Sequence, residues 1–121
     1  MRPIHFEIPS DNPERAVEFY SKVFGWQISK WGDIDYWLCT TGDDKTPGIN
    51  GAIMKRDNAG QPFSNYIGTP DIDKTMKDIE TAGGQIVVPK TPIPGVGYFA
   101  YFKDLDGIIM GIMQDDASAK V

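Results

Sequence analysis

His5 and Glu7 stand two residues apart in the segment Ile4-His5-Phe6-Glu7-Ile8. Alternation along a strand points both side chains to one side and Phe6 and Ile8 to the other. An imidazole that titrates near neutrality, beside a carboxylate, is a base with an orienting acid. The pair suits proton transfer at a small molecule or a polar contact to one. The same two groups can instead satisfy each other, or Glu7 can lie in water at a sheet edge. His5 is the only histidine and Cys39 the only cysteine. An ordinary metal motif of paired imidazoles or thiolates is therefore not available. Cys39 has no activating neighbour in the sequence and is expected to be a buried small apolar residue. No glycine-rich phosphate cradle is present.

The element that carries this pair belongs to a repeat. Gly48-Ile49-Asn50-Gly51-Ala52-Ile53-Met54-Lys55 is echoed by Gly107-Ile108-Ile109-Met110-Gly111-Ile112-Met113-Gln114, so the repeat offset is the step from Gly48 to Gly107. The same offset lays Val17, Tyr20 and Gly25 on Met76, Ile79 and Gly84, and His5 on Ser64. A unit of that length is a supersecondary module too small to stand alone. In the first copy Ile4 to Ile8 reads as a strand. Asn12 then caps a helix that opens on Pro13, carries an apolar stripe of Ala16, Val17, Tyr20, Val23 and Phe24, and ends at Gly25. Strands are predicted over Trp26 to Lys30, Tyr36 to Thr41 and Gly48 to Lys55. Arg56 to Pro62 reads as the polar link. In the second copy Asn65 to Thr69 is a strand. Pro70-Asp71 sets up a helix striped by Ile72, Met76 and Ile79, which ends at Gly83-Gly84. Strands follow over Gln85 to Val88, Tyr98 to Lys103 and Ile108 to Gln114. Lys90 to Gly97 reads as a shaped loop or lid, and the tail from Asp115 as frayed.

The chain therefore reads as one α+β domain over 1–121. It holds two β-α-β-β-β modules, about 1–57 and 62–115, in a cupped, mainly antiparallel eight-stranded sheet with helices on the outer face. Strand parity sends the aliphatic residues toward the helices and a mixed lining into the cup. That lining holds Asn50, Ala52 and Met54 on the fourth strand and Ile109, Gly111 and Met113 on the eighth. Ser64 and Tyr66 share the inward parity on the fifth. His5, Asn50, Met54, Ser64, Tyr66 and Met113 are the expected ligand contacts, with His5 and Glu7 the catalytic candidates. Trp37, Tyr98 and Tyr101 can join an aromatic wall or the core; for Trp37 and Tyr101, parity alone leaves the facing open.

Of the 121 residues, 40% are hydrophobic and 24% charged, which suits a globular chain with its own core. The net charge of −5 argues against nucleic acid as a partner and favours neutral or cationic ligands. No apolar run reaches membrane-span length, so no membrane partner is expected. A strand pattern so near Met1 leaves no room for a signal peptide, and a single cysteine allows no intrachain disulfide. Both predict a cytoplasmic protein.

Several segments together resemble the vicinal oxygen chelate superfamily, which includes glyoxalase I, bleomycin resistance proteins and extradiol dioxygenases. They are His5-Phe6-Glu7-Ile8-Pro9, Pro13-Glu14-Arg15-Ala16-Val17-Glu18-Phe19-Tyr20 leading to Phe24-Gly25-Trp26, Gly83-Gly84, and Asp104-Leu105-Asp106-Gly107. Relatives commonly carry Pro where Leu105 stands and Asn where Ile108 stands. The resemblance implies paired modules, a U-shaped sheet and a homodimer. It also implies four metal-ligand slots, which fall on His5, Ala52, Ser64 and Gly111. Only His5 has a donor for a divalent metal, so neither metal nor other cofactor is expected. The expected function is metal-free small-molecule binding, in the manner of the bleomycin-resistance members. The alternative is a lyase, isomerase or dioxygenase that uses His5 with Glu7, with or without a metal.

Overall fold

A computed structural model of the chain describes residues 1–120. The elements run β1 (Pro3–Ser10), α1 (Pro13–Phe24), β2 (Gln27–Lys30), β3 (Tyr36–Thr40), β4 (Gly51–Lys55), β5 (Ser64–Gly68), α2 (Ile72–Thr81), β6 (Gln85–Ile93), β7 (Gly97–Lys103) and β8 (Ile109–Asp115). This is the α+β order of two β-α-β-β-β modules. The chain clusters into two compact units, one spanning Ile4–Ser64 and the other joining Met1–Pro3 to the residues from Asn65 onward. The first residues go with the second unit because the Gly68 amide donates to the Arg2 carbonyl at 3.0 Å.

In the first unit the strands lie in the order β2-β3-β4-β1, with β1 and β4 parallel and the other two pairings antiparallel. Helix α1 starts where Asn12 accepts from the Arg15 amide and Pro13 takes the first turn, and it ends at Gly25 in the left-handed region (φ 71°). Its inner stripe of Ala16, Val17 and Tyr20 covers Phe6, Cys39 and Ile53 on the sheet. Trp37, paired with Ile53, faces this core. Cys39 is buried here as expected, and burial pushes its thiol up to about 11, so it stays protonated at neutral pH.

The second unit has the order β5-β8-β7-β6 with the same parallel and antiparallel pattern. Helix α2 starts at Ile72, which the repeat offset lays on Pro13, and Asp71 accepts from the Lys74 amide as Asn12 does from Arg15. Ile72, Ala100 and Ile112 make its core, with Met76, Ile79, Tyr98 and Phe102 packed on it. Tyr98 therefore belongs to the core side, where Lys90 lies 4.5 Å from its ring centroid. Since the two caps do equivalent work, Asn12→Ala and Asp71→Ala are each expected to lower stability by about 1 kcal/mol in urea unfolding. Equal losses would confirm that the repeat extends to its capping.

Two expectations need correction. Lys90 to Gly97 is not a loop or lid: β6 continues to Ile93, pairing Thr91 with Phe99 and Ile93 with Gly97, and only the turn at 94–96 remains. Its prolines are tolerated because β6 is the last strand in its order and its ladder shifts register twice between Ile86 and Thr91. The tail is not frayed at Asp115 either. The Asp116 amide donates to the Val96 carbonyl at 2.8 Å, the Gly95 amide donates to the Ala119 carbonyl at 3.0 Å, and Ala119 is buried.

Candidate functional site

On the side of the first unit away from α1, β1 contributes His5 and Glu7, and β4 contributes Ala52 and Met54. Register aligns Glu7 with Ala52 and Leu38, and Met54 with Tyr36. Because β4 lies between β3 and β1, the Tyr36 phenol crosses over β4 to reach β1. Its hydroxyl donates to Glu7 Oε2 at 2.7 Å and lies 2.9 Å from His5 Nε2. A phenol has one proton. Since Tyr36 gives it to Glu7, the second contact requires His5 to donate from Nε2. Glu7 is 6% exposed, so its carboxylate depends on such hydrogen bonds. Burial pulls His5 below its ordinary titration, against the opposing pull of the Glu7 charge, and the ring is neutral at pH 7.

The remaining predicted ligand residues are distributed as follows. Asn50 is exposed just before β4, where its Oδ1 accepts from the Thr41 amide at 2.9 Å and closes the 42–49 loop. The Met54 sulfur is 4.0 Å from the Gln61 amide nitrogen. Ser64 is buried at the start of β5. In the second unit Tyr66 is buried against Gly111, and its hydroxyl meets that of Tyr101. Met113 pairs with Gly68 and Phe99, on the same side. Tyr101 thus faces the Tyr66 side, away from α2, and Phe99 completes the ring cluster. Tyr36 is the residue that sequence reasoning does not single out. A signal exists: with Leu38 it alternates against the core pair Trp37 and Cys39.

The model of the Glyoxalase/Bleomycin resistance protein/Dioxygenase superfamily matches residues 2–111. The chain belongs to that superfamily. It is 29% identical over 113 residues to CFP32 of Mycobacterium tuberculosis, a provisionally named glyoxylase, across 89% of this chain and 42% of that protein. It is 27% identical over 125 residues to the anthracycline biosynthesis protein DnrV of Streptomyces peucetius, across 91% of this chain and 46% of that one. The chain spans about half the length of the curated relatives it matches. A variant of Streptomyces coelicolor methylmalonyl-CoA epimerase, solved with 2-nitronate-propionyl-CoA, superposes with a TM-score of 0.65 at 14% identity, over 100% of this chain and 99% of that one. At that identity the likeness is one of fold.

The residues in the superfamily's metal slots do not fit a metal ion. Ala52 offers a methyl group, is fully buried, and lies on the β4 row that the Tyr36 phenol crosses. Gly111 offers no side chain, and a Cβ there would lie 2.9 Å from Tyr66 ring carbons. Ser64 is a weak donor, and His5 Nε2 is bonded to Tyr36. Among the described residues, no three His, Cys, Asp or Glu side chains come together as a metal site.

The lowered titration of His5 has a consequence for stability. In the unfolded chain this histidine takes its proton near 6.5. Above that value both states are neutral and the shift has no effect. As pH falls below 6.5 the unfolded state protonates first, so stability declines until the folded ring protonates too. One proton gives a slope of at most about 1.4 kcal/mol per pH unit. Urea midpoints taken downward from neutral pH should fall more steeply for the native chain than for His5→Asn. Parallel curves would show that His5 is not held neutral.

Proposed function

We propose that this superfamily member is a metal-free small-molecule-binding protein whose ligand rests on the sheet side that carries His5, Tyr36 and Glu7. The carrying observation is the buried Glu7 carboxylate hydrogen-bonded to Tyr36, with His5 on the same hydroxyl. A buried carboxylate grouped with a phenol and an imidazole, on the side of the sheet away from α1, is an expected mark of a recognition site. Met54 adds an adaptable apolar contact beside it. Asn50 and Ser64 are proposed as further contacts in the first unit, and Tyr66 and Met113 as contacts in the second. The relative named for anthracycline biosynthesis is consistent with an organic ligand that carries rings. The protein is proposed to act in the cytoplasm as a homodimer, without metal, nucleic acid or membrane. Thermal shift and calorimetry against a panel of cationic, neutral and anionic organic compounds test this reading. A panel in which no class shifts the melting temperature would remove it.

The hydrogen-bond chain favours a second reading, a metal-free lyase or isomerase. Neutral His5 and the Glu7 carboxylate, linked through one hydroxyl, are a base pair able to take and return a proton. His5→Ala would then abolish turnover of the substrate while circular dichroism stays native. Turnover that survives the substitution would leave only the binding role.

A further inference from the structure

The strand order of the first unit ends on β2, and that of the second ends on β6. The two edges are built differently. In β6, Pro89 and Pro92 interrupt the strand and the ladder shifts register twice, which blunts an edge against further pairing. In β2 the register with β3 is unbroken from Gln27 to Lys30, with no proline. The repeat offset lays Lys30 of β2 on Pro89 of β6. The helices differ in the same sense. Val23 and Phe24 at the end of α1 are 56% and 59% exposed, whereas among the described residues no large apolar side chain of α2 or β6 is exposed. The Phe24 ring lies 6.0 Å from that of Trp26, which leads into β2. On the other side of the β2–β3 hairpin Trp31 is 41% exposed, its ring centroid 5.9 Å from that of Tyr36. An open, proline-free edge with apolar groups on both sides of the sheet is suited to a further strand.

We infer that β2 pairs antiparallel with β2 of a second copy of this chain, about a two-fold axis through Ser29. The inference rests on the homodimer proposed above and gives it a surface and a register. The backbone selects that register. The Trp31 amide donates to the Tyr36 carbonyl at 2.8 Å, and bonded and non-bonded positions alternate along an antiparallel pair. Trp31, Ser29 and Gln27 therefore turn their amides and carbonyls toward β3, and Ile28 and Lys30 turn theirs outward. With the axis at Ser29, Ile28 of each copy faces Lys30 of the other, and each such pair exchanges amide and carbonyl. No outward group of β2 is then left over. An axis at Lys30 would set like charges directly opposite each other, which is unfavourable. An axis at Ile28 would pair Lys30 with Trp26, which lies outside the strand. Side chains agree with the axis at Ser29. Opposed residues share a side of the sheet, so Gln27 covers the exposed Trp31 of the other copy. On the α1 side the stem of Lys30, whose ammonium lies 5.4 Å from its own Trp37 ring centroid, runs along Ile28 of the other copy. A foreign strand would have to match this pattern, whereas a second copy supplies it by symmetry.

Sedimentation equilibrium of the full chain and oxidative cross-linking test the pairing. The native chain should sediment at twice 13.4 kDa. Lys30→Pro removes an outward amide and no bond to β3, so the variant should keep its circular dichroism and dissociate about tenfold more readily. Across the axis the two Ser29 residues form a non-hydrogen-bonded pair with Cα atoms about 4.5 Å apart, which is within disulfide range. Ser29→Cys should therefore link two chains under mild oxidation. Gln27→Cys should not. Gln27 faces Trp31 of the other copy, and the span from there to the other Gln27 is about 14 Å at about 3.4 Å per residue. Cys39 is buried, so the native chain serves as the unlinked control. A monomeric native chain would leave the edge to a strand of another protein, and would overturn this inference and the homodimer together without touching ligand binding. A dimer that Lys30→Pro leaves intact, or in which Ser29→Cys links no better than Gln27→Cys, would overturn the β2 pairing and leave a homodimer through another surface. If Lys30→Pro does not fold, the two cysteine variants decide between these outcomes alone.

Discussion

Replacing Gly51 with alanine is expected to destabilise the protein by about 3 kcal/mol, the upper end of ordinary overpacking losses. Gly51 is buried on β4 with Phe6 as its register partner on β1. A Cβ at this position would lie 2.5 Å from two ring carbons of Phe6 and 2.5 Å from its backbone carbonyl oxygen. The ring could retreat only by leaving its contacts with Trp26 and Phe63, at centroid distances of 5.6 and 6.3 Å. The carbonyl could retreat only if the β1–β4 pairing opened. Gly111→Ala is the control. There the three nearest atoms to the methyl would all belong to the Tyr66 ring, at 2.9 to 3.1 Å, and a side chain yields more readily than backbone. Its expected loss is about 1 kcal/mol. Urea unfolding of both variants checks the order. If Gly51→Ala unfolds within about 0.5 kcal/mol of the native chain, the range of a neutral substitution, the close approach of β1 to β4 is wrong.

The internal repeat makes the scaffold legible from sequence because backbone pairing follows it residue by residue. Glu7 pairs with Ala52, and moving both partners by the repeat offset gives the observed pair Tyr66 with Gly111. The helix starts at Pro13 and Ile72 obey the same offset. The offset fails at the third strand of each module. The first copy reaches its fourth strand through residues 41–50 and the second through 104–108. Tyr36 is aligned by sequence with Gly95, yet in register it matches Phe99, since Met54 and Met113 are their respective partners. The repeat offset therefore does not lead to Tyr36, and only its alternation against Trp37 and Cys39 marks it, whereas parity alone puts His5 and Glu7 on one side. The same slip explains Trp37 and Tyr101. Their facing depends on register with Ile53 and Gly111, which periodicity alone does not supply. The prolines and glycines of 89–97 mislead for another reason. They mark the edge of a sheet as well as they mark a loop.

The small residues in the metal slots also acquire a positive meaning. Ala52 and Gly111 each lie under or beside a tyrosine that makes a hydrogen bond, Tyr36 to Glu7 and Tyr66 to Tyr101. A bulky ligand side chain at either position would compete with that phenol for the same space. The two slots are thus filled by packing, which ties the donor-poor composition of the site to its hydrogen-bond chain.

Tyr36→Phe is accordingly the second large effect, an expected loss of about 2 kcal/mol at neutral pH. The substitution removes one oxygen and retains the ring, so packing with Trp31 persists. What disappears is the donor to Glu7 and the acceptor from His5. A hydrogen bond to a charged, buried acceptor contributes about 1.5–3 kcal/mol, and Glu7 is nearly inaccessible to replacement water. Glu7→Gln removes the charge that Tyr36 serves. In a double-mutant cycle, Y36F should therefore cost less in the E7Q background than in the native chain, with a coupling of about 1 kcal/mol or more. Strict additivity of the two substitutions, or a Y36F protein as stable as the native one, would show that the hydroxyl neither supports Glu7 nor organises this side of the sheet. In that event the site would have to be rebuilt from His5 and Glu7 alone.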